Sequence, residues 1–108
     1  MNETLNKISD IITRYESNEW QSCDNLRHLL RELSVNHYHL TKYNVEYGQK
    51  YNAAIYNHTR EFKTSDAAAT RYAELTVPEL RHTRKILTAT NIVINSMRSE
   101  IGILRSEN

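Results

Sequence analysis

The sequence predicts an all-α fold: a long antiparallel helical hairpin with a short N-terminal helix packed at its open end. Three observations carry that expectation. One stripe, Leu26, Leu30, Leu33, His37, Leu40, Asn44, Tyr47, Tyr51, Ala54 and His58, recurs in alternating steps of four and three without a proline, the heptad spacing that keeps one helical face against one partner. A second stripe, Leu80, Thr83, Leu87, Thr90, Ile94, Met97, Ile101 and Leu104, repeats that spacing. Finally, the 108 residues contain two Gly and one Pro, too little turn chemistry for the many reversals of a sheet protein.

In chain order, the first element is an amphipathic helix over residues 3–16, with Leu5, Ile8, Ile12 and Tyr15 on one stripe, Ile11 beside it, and Asn2 or Thr4 as its cap. Glu3, Lys7, Asp10 and Arg14 are spaced to form weak surface pairs. Glu16-Ser17-Asn18-Glu19 carries no apolar residue and ends the pattern. A long helix follows over 20–61. Gly48 inside it marks a bend or the close approach of another helix, or is an ordinary helical glycine that costs about 1 kcal/mol relative to Ala. The chain reverses at Phe62-Lys63-Thr64-Ser65, with Ser65 as the N-cap of a helix over 66–76. Thr76-Val77-Pro78-Glu79 has the form of a capping box with an early proline, which favours a local break before a last helix over 77–106; a single kinked helix is the alternative.

If the reversal centres between Lys63 and Thr64, residue i faces roughly residue 127 minus i. Leu40 then meets Leu87, Leu33 meets Ile94, Leu30 meets Met97, Leu26 meets Ile101 and Cys23 meets Leu104. The polar seam positions also coincide, Asn44 with Thr83 and His37 with Thr90, and matched polar residues specify register. Ala54 and His58 face Ala73 and Ala69, which permits close approach near the tip. The first helix is too short to cover the distal half of such a rod, where Tyr43, Val45, Ile55, Tyr56, Leu75 and Ile86 remain away from the seam. Apolar surface left over there predicts a homo-oligomer, a helical bundle with Tyr51, Ile55, Leu75 and Ile86 at its interface.

Length predicts one domain spanning 1–108. The formal charge is +1, too small to imply nucleic-acid binding by itself, yet residues 35–85 hold eight Lys/Arg against five Asp/Glu while residues 1–34 hold four against six. The middle of the chain is the basic part. A lone cysteine, Cys23, makes no internal disulfide, and the N-terminus has neither a basic n-region nor an apolar h-region. The longest aliphatic run is Ile92-Val93-Ile94, far from the roughly 20 apolar residues a membrane span needs. These features point to the cytoplasm, that of the host if the chain comes from a phage.

No catalytic signature emerges. Cys23 has no local base or orienting group, and phosphate loops, nucleophilic triads and paired catalytic carboxylates are absent. Glu79-x-x-His82 is one copy of a spacing that di-iron bundles need twice, so neither metal nor cofactor is expected; His37 and His58 read as seam residues, and His28, His39 and His82 as surface ones. No small-molecule substrate is implied. What remains is a mixture of rings and cations in the distal half: Lys42, Tyr43, Lys50, Tyr56, Arg60, Lys63 and Arg71, with Tyr47, Tyr51, Tyr72, Arg81, Arg84 and Lys85 nearby. Single-stranded nucleic acid is held by a cationic track with aromatic faces for its bases. A tyrosine-rich interface for another protein uses the same composition.

The run Ser65-Asp66-Ala67-Ala68-Ala69-Thr70, Arg71-Tyr72-Ala73 and the long helix ending Met97-Arg98-Ser99-Glu100-Ile101-Gly102-Ile103-Leu104-Arg105 resembles, in layout, the recombination mediator proteins of T-even-like phages. That resemblance covers about two fifths of the chain. It implies a non-catalytic, oligomeric, all-helical accessory protein that binds single-stranded DNA and assists recombination or replication proteins, with the family's basic residues falling loosely on Lys50, Arg60 and Lys63. This chain is less basic than such mediators. The other expectation is a protein-interaction module, a structural or inhibitory phage factor docking through its exposed hairpin.

Overall fold

The computed structural model describes residues 1–106. All of its regular structure is helical: α1 (Asn2–Glu16), α2 (Cys23–Phe62), α3 (Asp66–Thr76) and α4 (Glu79–Ser106). The chain forms two compact units. One comprises residues 1–40 with the chain from Leu87 onward, the other residues 41–86. Helices α2 and α4 contribute to both.

Helix ends explain the boundaries. Neither Asn2 nor Thr4 caps α1; Met1 occupies the N-cap without a side-chain hydrogen bond. Its C-terminus is better secured, because Asn18 N–H donates to Tyr15 O (3.1 Å) and Glu19 N–H to Arg14 O (3.2 Å) while Asn18 takes φ 57°. That pair of bonds with a left-handed residue is the Schellman arrangement, which asparagine tolerates well. Helix α2 begins three residues later than the seam suggests. Gln21 turns the chain at φ 53°, and Ser22 caps the helix by accepting from Asn25 N–H at 3.2 Å. The far end of α2 closes on Lys63, whose N–H donates to Thr59 O (2.9 Å) at φ 50°.

Ser65 caps α3 as expected, its hydroxyl accepting from Ala68 N–H at 3.3 Å. The break at Pro78 is also present, between Thr76 and Glu79. The capping box is not: Thr76 is the last residue of α3, and its hydroxyl donates backwards to Tyr72 O at 2.8 Å.

In the first unit the core comprises Ile8 and Ile11 of α1, Leu26, Leu29, Leu33, Asn36 and Leu40 of α2, and Thr90, Ile94, Met97 and Ile101 of α4. Leu29 and Asn36 lie one heptad apart off the expected seam. They face α1, since Ile11 and Asn36 line one cleft with Lys7, Asp10 and Glu32, and Leu29 lines another with Arg14 and Trp20. Asn36 satisfies its buried amide within its own helix, donating to Glu32 O at 2.8 Å. Ile11 rather than Ile12 is the deeper residue of α1, Ile12 being half-buried. Tyr15 fastens α1 to α4: its hydroxyl donates to Glu100 Oε2 (2.7 Å) and lies 2.8 Å from Ser96 Oγ. The expected surface pairs form, Lys7–Glu3 at 3.2 Å and Arg14–Asp10 at 3.6 Å, and their exposure limits each to a few tenths of a kcal/mol.

In the second unit α2 runs antiparallel to α3 and the start of α4, and one polar pair fixes the register. Asn44 Nδ2 donates to Thr83 Oγ1 at 2.8 Å, the match that the 127-minus-i register requires. Gly48 lies beside Leu80, and the His58 ring stacks on Tyr72. Rising numbers on α2 therefore meet falling numbers on α3 and α4. Ala69, Ala73, Val77, Leu80 and Thr83 are buried here. A Cβ on Gly48 would sit 3.9 Å from Leu80 Cδ1, an ordinary contact, so no close approach requires glycine at that position. The second polar match expected along the seam, in the first unit, is not made. Thr90 Oγ1 is buried with no hydrogen-bond partner among the described residues, and His37 is only half-buried.

Candidate nucleic-acid interface

The second unit carries the positive charge. Residues 41–86 contain eight Lys/Arg and five Asp/Glu, a net +3, which leaves six against eight, a net −2, for the rest of the chain. Lys7, Arg14 and Arg27 of the first unit are held by carboxylates three or four residues away. Arg31 and Arg98 of that unit make no ion pair among the described residues, nor do Arg60, Lys63, Arg71 and Arg81 of the second.

The residues expected to bind nucleic acid do not form one surface. Lys42, Lys50, Tyr56, Arg60, Lys63 and Arg71 are exposed or nearly so, whereas Tyr43 is half-buried. At 3.6 residues per turn, Tyr56 and Arg60 share an outward stripe of α2 on which Lys42 also falls, but Lys42 is about 27 Å away along the axis. Lys50 and Tyr43 fall on a neighbouring stripe, and Lys50 Nζ lies over the Tyr47 ring, 5.5 Å from its centroid. Lys42, Tyr43 and Lys50 are therefore separate from the turn between α2 and α3.

Around that turn the rings concentrate. The His58 ring stacks on Tyr72 (centroids 4.4 Å, 29° between planes) and meets Phe62 at a tilt (4.9 Å, 44°), and its Nδ1 is 2.9 Å from Thr64 Oγ1. The seam histidine thus joins a cluster of three rings. Its other members remain open to solvent, Phe62 at 60% and Tyr72 at 44% exposure, with Tyr56 at 62% one stripe away. Arg60, Lys63 and Arg71 lie among these rings along the chain. The cluster is not visible as such in the sequence, although the i, i+4 spacing of His58 and Phe62 is its signal.

The residues assigned to an oligomer interface also separate. Ile55 and Ile86 are half-buried within the unit. Tyr51 and Leu75 line one cleft with Arg71, Val77, Pro78 and Leu80, and Leu75 is 77% exposed.

Among the described residues no group of three or more His, Cys, Asp or Glu side chains is placed to hold a metal ion, and no helix is long and apolar enough to cross a membrane. No family model, curated protein or solved structure matches the chain.

Proposed function

We propose that the chain is a non-catalytic accessory protein that binds single-stranded DNA at the α2–α3 turn and, in oligomeric form, assists recombination or replication proteins, the role implied by the resemblance in layout. The observation that carries this reading is the grouping of solvent-exposed rings, Tyr56, Phe62 and Tyr72, with cations that have no carboxylate partner among the described residues, Arg60, Lys63 and Arg71. Rings offer faces to unstacked bases regardless of sequence, and the cations neutralise phosphates. On this reading the site comprises this group. Lys50, engaged with Tyr47, and the distant Lys42 and Tyr43 contribute at most to the general field.

Fluorescence anisotropy of a labelled single-stranded oligonucleotide, repeated across a salt series, tests the proposal. Binding should weaken steeply with salt as condensed counterions are released. Arg60→Glu with Lys63→Glu should flatten the log–log salt slope by about 1.4, two contacts at about 0.7 each for a single strand. Tyr56→Ala should cost about 1–3 kcal/mol of affinity if that ring carries a base. No binding at low salt, or a salt slope unmoved by the double charge reversal, would remove DNA from this site.

A further inference from the structure

The cleft at the α3–α4 junction has a different character from the ring cluster. Its volume is about 560 Å³. Val77 and Leu80, 7% and 4% exposed, form an aliphatic floor with Pro78, and Leu75 stands up as a wall. Arg71 and Arg81 sit on the rim, neither with an ion pair among the described residues. Three arginines and one glutamate line the whole cleft.

From this pairing of an aliphatic hollow with unpartnered arginines we infer that the cleft is a docking site for an acidic, amphipathic peptide segment of another protein. Its leucine-, isoleucine- or phenylalanine-type side chains enter against Leu75, Val77 and Leu80, and its carboxylates take the rim arginines. Guanidinium groups bind carboxylates through paired N–H donors, and an apolar helical face laid in a groove is a recurrent recognition mode. Bases stack on flat rings, and the cleft offers aliphatic walls with a single half-buried tyrosine, Tyr51. Charge and shape thus favour a peptide over a nucleic acid here, independently of what binds at the turn.

The test is a selection of random displayed peptides on the full-length chain, followed by anisotropy titration of the synthetic consensus peptide. The expected consensus pairs Asp or Glu with large apolar residues at helical spacing. Leu75→Ser and Arg81→Glu should each weaken its binding by on the order of tenfold, while Arg60→Glu leaves it unchanged. Leu75 is too exposed for its replacement to unfold the chain, and unchanged circular dichroism checks this. A consensus without acidic residues, or a peptide indifferent to Leu75→Ser, would overturn the assignment. So would competition by an unlabelled single-stranded oligonucleotide that Leu75→Ser abolishes, which would make the cleft a nucleic-acid site. A wild-type dimer that Leu75→Ser dissociates would overturn it too, by giving the cleft to a second copy of the chain. Failure of DNA binding at the turn leaves each of these outcomes readable.

Discussion

Asn44 and Thr83 make the sharpest test of how this fold is specified. Thr83 is fully buried, and its hydroxyl accepts from Asn44 Nδ2 at 2.8 Å while donating its one proton to Glu79 O (2.9 Å) or Leu80 O (3.1 Å). Asn44 has only a long second bond, to Leu80 O at 3.4 Å. Thr83→Val keeps the shape but leaves the half-buried amide nearly unpaired, a cost of about 1–2 kcal/mol. Asn44→Leu strands less, since Thr83 still donates within its own helix, and should cost about 0.5–1 kcal/mol. Removing both groups replaces a polar pair by two apolar side chains and should cost less than Thr83→Val alone, giving a coupling of about 1–2 kcal/mol. Urea unfolding of the four proteins of the cycle, followed by circular dichroism and interpreted only where m is unchanged, measures it. If the double variant loses the sum of the singles to within about 0.5 kcal/mol, the pair does not set the register.

Gly48→Ala should raise stability by up to about 1 kcal/mol, because helix propensity improves and the new methyl group meets Leu80 at an ordinary distance; a loss in thermal unfolding would show that the backbone at Gly48 needs its freedom. Lys63→Gly should stabilise by on the order of 1 kcal/mol, since φ 50° suits glycine better than lysine, while single-stranded DNA affinity falls; loss of both together would show that Lys63 serves only the turn. The Tyr15 phenol is held above the usual tyrosine range, first by burial, with the Ser96 hydrogen bond opposing and Glu100 reinforcing. The native state therefore keeps a proton that the unfolded chain releases near pH 10. This contribution is complete below about pH 10 and is lost as pH rises through the native value. Urea titrations in alkaline buffers should show a steeper decline for wild type than for Tyr15→Phe, and parallel declines would refute the linkage.

Much of the fold is legible because heptad spacing constrains both partners at once. The Asn44–Thr83 match is readable from arithmetic on two stripes, and a direct hydrogen bond realises it. The equivalent reading of His37 and Thr90 fails for a physical reason. Where α1 joins α2 and α4 as a third helix, a second stripe of α2 must also be buried, and Leu29 and Asn36 take that role. A single-seam reading has no place for them. Cap chemistry is half legible: Ser65 follows the rule, whereas Thr76 prefers a backward bond to Tyr72 O over starting the next helix. Asn18 is a readable stop signal, but its left-handed conformation is evident only in the structure.

The candidate site is legible in composition and illegible in geometry, for a reason that the charges make plain. Three cations of the first unit, Lys7, Arg14 and Arg27, follow their carboxylates by three or four residues and pair with them, so local spacing predicts these partners. In the second unit, Arg71 has Glu74 three residues away and still makes no ion pair with it. Both line the same cleft beside Leu75, Val77 and Leu80. Spacing alone marks Arg71 and Glu74 as an ordinary surface pair, and sequence composition places Arg71 with the rings. Only the junction of α3 with α4 puts this arginine at the rim of an aliphatic hollow, where an unpaired guanidinium is available to a carboxylate from outside. Arg71 thus leaves Glu74 unpaired although spacing makes it available, whereas Arg81 has no carboxylate three or four residues away, so only the cleft brings these two arginines together.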